Sequence, residues 1–191
     1  AAVGALSGNV KSIASRLKPK LKSNASTQNA ASETVDFQPA AKSNKNAKFY
    51  LELTSNVEDG PSIGPKMAAR LASVGVQTVA DLLQADPAQL GAKLGFNAAA
   101  ATKLKDWQDQ ARLVCRIPNL RGHDAQILVA CGVRDPQSLA RANPAELTRK
   151  AIAFAKTPEG VRLLRGSLAP DAEEVADWIA WAKSARQLKA A

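Results

Sequence analysis

The sequence predicts an all-α domain built from two tandem repeat units, residues 61–90 and 118–147, with flanking helices and a long extended N-terminal arm in front. Three observations carry this. Alanine and leucine supply most of the apolar content while aromatics make up only 4% of the chain, a balance that favours helices over strands. The stretch from Pro61 to Val76 aligns without gaps to the stretch from Pro118 to Val133, and the register continues from Leu82 and Leu139 to Leu90 and Leu147. A constant offset over this length marks an internal repeat. Capping residues followed by proline then recur at the helix starts that the repeat implies.

The arm, residues 1–48, is rich in Ala, Ser, Asn and Lys and has few large apolar groups after Leu21. It carries eight Lys/Arg against Glu33 and Asp36, a net +6, whereas the remaining 143 residues carry only +3 of the chain's +9. Such a composition buries too little surface to offset chain entropy, so the arm is expected to be disordered when alone. One part is patterned. Val3, Leu6, Val10, Ile13 and Leu17 recur at 3-4-3-4 spacing, which lines one face of an amphipathic helix over 3–17 that needs a partner to form. Pro19 stops it. The chain starts on Ala, and its first 32 residues hold five Lys/Arg, several Ser and no acid. This resembles a transit peptide, or the mature start just after one, and places the protein in an organelle, a plastid ahead of a mitochondrion.

Within each repeat the local chemistry sets the helix ends. Gly75 and Gly132 sit where a left-handed residue closes the first helix. Thr78 and Asp135 cap the second, and Asp86 and Asn143 cap the third, with proline at the first helical position after Asp135, Asp86 and Asn143. Gln89 and Glu146 lie three residues beyond their caps, the spacing of a capping box. Ile63 with Leu71, and Leu120 with Leu128, supply the apolar contacts of each helix pair.

Between the units, Asn97 caps a connecting helix over 97–115 with Leu104, Trp107, Ala111 and Val114 as its buried stripe. Thr157 and Pro158 open a short helix over 158–166. Pro170 and Asp171 open the last, over 170–188, with Val175, Trp178, Ile179 and Ala182 on one face and Trp181 partly exposed. Phe49, Leu51 and Leu53 alternate, which suits an extended strip leading into the domain from 49 onward.

The string GPSIGPKMAARLASVGVQTVADLL resembles a helix-hairpin-helix motif. Residues 49–190, through FYLELTSNVEDGPSIGPK, DWQDQARLVCRIPNLRGHDAQILVACGV and TPEGVRLLRG, resemble a family of tandem helix-hairpin-helix domains of unknown function. The resemblance implies two tandem helix-hairpin-helix units and a phosphate-facing hairpin in each. In the first, this maps to Ser62, Ile63, Gly64, Lys66 and Arg70: Ser62 replaces the first glycine of the usual pattern, Gly64 keeps the second, and two cations follow where orphan N–H groups would favour an anion. The weaker second hairpin is Asn119, Leu120, Arg121, Gly122 and His123, with Asp124 following to repel phosphate.

An enzyme is not expected, because no Gly-rich phosphate loop, nucleophile elbow or His/Cys/acid cluster is visible. Neither a metal nor a cofactor is expected: His123 is the single histidine and has no partner near it in sequence, and Cys115 and Cys131 read as reduced thiols in apolar surroundings. The longest apolar run falls far short of the ~20 residues that span a bilayer, so no transmembrane segment is expected and the protein reads as soluble or peripheral. The favoured role is a non-catalytic adaptor or linker subunit with protein partners in a larger, membrane-associated assembly such as a plastid photosynthetic complex. The alternative is sequence-independent nucleic-acid backbone binding through the hairpins and the basic arm.

Overall fold

A backbone N–H or carbonyl taken from water needs a partner, and the caps read from the sequence supply many of them. The computed structural model describes residues 47–188. The arm, apart from its last two residues, and the amphipathic helix expected over 3–17 lie outside the described residues.

The described chain is helical. A 3-10 turn, Val57–Asp59, precedes α1 (Pro65–Ser73), α2 (Val79–Gln84) and α3 (Pro87–Lys93); then come α4 (Ala98–Arg116), α5 (Gly122–Ala130), α6 (Pro136–Ala140), α7 (Pro144–Ala155), α8 (Pro158–Leu164) and α9 (Ala172–Ala182). The repeat is visible in the backbone itself. Ser62 and Asn119, equivalent positions, both take left-handed φ, +65° and +63°, and Gly75 and Gly132 take +90° and +88°. Helices α1 and α5, α2 and α6, and α3 and α7 start at matching residues. Left-handed backbone is costly for residues with a Cβ, with asparagine among the more tolerant. Asn119 therefore suits its turn, while Ser62 takes the same conformation without the benefit of an amide side chain.

The caps fall where the sequence puts them: Thr78, Asp86, Asn97, Asp135, Asn143, Thr157 and Asp171 each accept a bond from the first turn of the helix they precede. The capping box differs. It forms at Thr78 and Asp81, where the Asp81 carboxylate accepts from the Thr78 N–H at 2.8 Å and Thr78 Oγ1 accepts from the Asp81 N–H. Hydrogen bonding from Thr78, joined by the Gln77 N–H, holds the Asp81 carboxyl below its usual range. Glu146, expected to close such a box, pairs instead with Lys150 one turn along, the i,i+4 geometry that an exposed helix face offers.

Helix α4 runs through the centre, packed by α2 and α3 on one side and α5 on the other, while α9 closes against α6 and α7. Leu104, Ala111 and Val114 are buried as the stripe predicts, Trp107 is half-buried against the same core, and Leu113 and Cys115, off the stripe, are fully buried. A helix held between two units is covered on more than one face, so a single stripe undercounts its core. Trp178 is fully buried and Trp181 partly exposed.

The polar residues of α4 are also inside. Gln108 donates through Nε2 to Leu82 O and Ala85 O, at 2.8 and 2.7 Å, which satisfies the carbonyl end of α2. Gln110 Oε1 accepts from Ser62 Oγ at 2.8 Å. Asp109 and Asp106 together receive Arg134 Nη1, from beyond the second hairpin, at 2.7 and 2.8 Å. One helix thus bonds both units.

The ends of the domain are tied to each other. Leu51 is buried and Phe49 and Leu53 half-buried, as an extended strip entering a domain should be. Lys48 exchanges two bonds with Asn119: its N–H donates to Asn119 Oδ1, and its carbonyl accepts from the Asn119 N–H. The last helix ends at Ala182, short of the expected 188, because the chain turns back there. The Arg186 N–H donates to Arg116 O, and its guanidinium donates to Cys115 O and to Glu52, while stacking 3.8 Å from the centre of the Phe49 ring. Helix α8 likewise ends at Leu164 rather than 166, on Arg165 at φ +49°.

Gly160 marks the tightest join. A Cβ there would overlap the Phe154 carbonyl and come within 2.8 Å of Ala155 Cα, backbone atoms at the end of α7 that cannot turn aside. Gly160→Ala should therefore lower unfolding free energy by about 1–3 kcal/mol, the usual range for an overpacked core site, measured by urea denaturation.

Candidate functional site

In the first hairpin the sequence-predicted residues point in different directions. Ser62 turns its hydroxyl toward α4 and bonds Gln110. Ile63 is buried in the core. Gly64 caps α1 at φ −98°, a conformation open to any residue, and a Cβ built there meets nothing within 4 Å. Neither backbone strain nor packing asks for glycine at this point. Pro65 occupies the first helical position and removes one N–H that could have faced an anion. Lys66 is exposed beside it in the first turn. Arg70 lies in the last turn of α1, not the first, and reaches across to the end of α3 while remaining exposed: Nη2 donates to Leu94 O at 2.6 Å, and the guanidinium sits 5.0 Å from the centre of the Phe96 ring. There it serves the carbonyl end of α3. Lys66 and Arg70 share a helix face at i,i+4, but the Arg70 guanidinium is held at the end of α3, and the shallow hollow beside α1 includes Glu58 in its wall.

The second hairpin is used differently. Asn119 holds Lys48, Leu120 is fully buried, and Gly122 opens α5 against the first unit, where a Cβ would rest 3.6 Å from Pro61 Cγ. Arg121 precedes α5, and its backbone N–H donates to Asp124 Oδ2 at 3.0 Å. Asp124, expected only as a repulsive neighbour, is 2% exposed. Its other oxygen, Oδ1, lies 3.0 Å from His123 Nε2, within ion-pair distance, and makes no well-formed hydrogen bond.

Glu174, from the first turn of α9, comes to the same place. One ligand atom from each of His123, Asp124 and Glu174 lies within 4.8 Å of the other two. The polar contact with Asp124 raises the His123 imidazole above its ordinary pKa, and burial, seconded by the Asp124 charge, raises the Glu174 carboxyl. This cluster forms one wall of a cleft of about 470 Å³ whose rim carries Arg121, Arg165 and Leu168. No sequence reading paired His123 with Glu174, because the fold alone closes the 51-residue gap between them.

The cysteines are free thiols. Burial pushes the Cys115 thiol up to about 12 and also raises Cys131. A nucleophilic cysteine needs the opposite shift. Cys115 is fully buried and Cys131 only partly. Native protein treated with iodoacetamide at pH 8 should therefore be alkylated at Cys131 well before Cys115, with equal labelling only after unfolding, as read by peptide mass mapping.

Among the described residues, no helix is long and apolar enough to cross a membrane. Neither a curated protein nor a solved structure matches the chain. Residues 61–185 match a family model described as a domain of unknown function, DUF4332. The matched segment takes in both repeat units and α9 and spans well over half of the sequence, and the chain therefore belongs to the DUF4332 family.

Proposed function

We propose that the protein is a non-catalytic adaptor whose two units, read as tandem helix-hairpin-helix modules, dock on protein partners within a larger assembly. The observation that carries this is what the first hairpin does with its cations. Arg70, the residue best suited to hold a phosphate bidentately, is committed to Leu94 O and the Phe96 ring. Pro65 withholds a donor, and Asp124 stands in the first turn of α5. Apolar side chains are meanwhile left outside: Leu168 is 91% exposed and Val161 59% exposed. The folded part carries little net charge, which suits protein contacts better than a nucleic-acid backbone. The acid-poor basic start of the chain supports an organellar setting, with a plastid assembly as the first place to look.

A second reading keeps one observation in its favour. Gly64 has open space above it and Lys66 beside it, the arrangement a close-approaching phosphate would use. Backbone binding of that kind weakens steeply with salt.

Co-purification from the native source separates the two. The adaptor reading predicts stoichiometric protein partners that survive nuclease and a salt wash and are lost from the Leu168→Asp variant. Release by nuclease, together with salt-sensitive duplex binding abolished by Lys66→Glu, would overturn it in favour of the second.

A further inference from the structure

We propose that His123, Asp124 and Glu174 form a binding site for a divalent transition-metal ion, with zinc as the best-fitting member of the class. This inference is independent of the adaptor reading.

The three groups come from two elements that meet only in the folded chain: His123 and Asp124 from the first turn of α5, Glu174 from the first turn of α9. A tetrahedral zinc ion with bonds of about 2.0–2.1 Å holds its ligand atoms about 3.3 Å apart. His123 Nε2 and Asp124 Oδ1 already stand 3.0 Å apart, and the whole set lies within 4.8 Å. A small rotation of the half-buried Glu174 side chain completes the geometry.

Asp124 is the second, independent observation. Its side chain is 3% exposed, and Oδ1 has no hydrogen-bond partner. A buried carboxylate oxygen that has an ion-pair contact with a largely exposed imidazole but no hydrogen bond is incompletely satisfied, and a cation within the cluster would complete its partners. Oδ2 is fixed by the Arg121 N–H, the kind of outer bond that orients a metal-bound carboxylate. One imidazole and two carboxylates make a nitrogen–oxygen set that suits zinc and its first-row neighbours rather than soft, thiolate-seeking ions. Two negative charges balance a divalent ion. Three protein ligands leave a fourth position, and the cleft that these residues wall carries Arg121 and Arg165 on its rim. A water molecule or a small anion would complete the shell there.

Because His123 is the chain's single histidine, its imidazole NMR resonances report this site alone. The full-length chain, stripped with chelator, is titrated with zinc chloride while those resonances are followed, and with cobalt chloride while visible absorption is followed. The expected result is a saturable one-to-one shift of the imidazole signals and intense four- or five-coordinate cobalt bands that zinc displaces. Glu174→Gln should weaken zinc affinity at least about tenfold, since even outer-shell partners of a metal are worth that much. Glu173→Gln, at the neighbouring exposed position, should leave it unchanged. Zinc should also raise the thermal midpoint of the wild type but not of Glu174→Gln, since an ion that binds only the folded state stabilises it. Unmoved imidazole resonances at saturating zinc, or equal affinity in wild type and Glu174→Gln, would overturn the proposal and leave His123 as an ion-pair partner only.

Discussion

The buried polar residues of α4 set the terms for everything around them. Gln108, Asp109 and Gln110 are each at most 7% exposed, and a buried amide or carboxylate is tolerable only when it is bonded. Their partners come from both repeats: the last carbonyls of α2, the hydroxyl of Ser62, and the guanidinium of Arg134. Bonds of this kind are directional, so they fix how each unit sits against α4 in a way that leucine packing alone would not. The strained turn at Ser62 has a reason in this network. Its left-handed backbone carries the hydroxyl to Gln110.

Arg186 and Lys48 extend the same principle to the ends. The strip before the first unit and the tail after α9 are joined to the end of α4 through Arg186, and the strip is joined to the second hairpin through Asn119. The two hairpins thereby become structural joints, which weighs on function. A hairpin whose polar groups face its own domain has fewer left for a ligand. Outward-facing groups of the hairpins include Lys66 and Arg121, beside a few exposed apolar side chains and the cleft walled by His123, Asp124 and Glu174.

Local chemistry was legible in the sequence, and long-range pairing was not. The repeat, the caps and the left-handed glycines could be read directly, because each depends on a residue and its neighbours within one turn. The capping box was misplaced because Gln89 and Glu146 have the right spacing, yet spacing does not reveal that Lys150 competes for Glu146. Leu113 and Cys115 lie off the α4 stripe yet in the core, because periodicity describes a helix with one covered face. Arg70 looked like a phosphate ligand because nothing local showed that Leu94 and Phe96 would come beside it. For the same reason Gln108, Arg134, Arg186 and the approach of Glu174 to His123 have no sequence signal: each pairing closes a gap of 23 residues or more.

The central claim is that α4 couples the two units into one cooperative body. Native-state hydrogen exchange on Asp109→Asn tests it most directly, with the amides of α1 and of α5 compared to wild type. If α4 couples the units, protection in both helices falls together and by similar free energies, even though Asp109, beyond its bond to Arg112 within α4, reaches the second unit through Arg134. Loss of protection confined to α5, with α1 unchanged, would show two independent units and contradict the account.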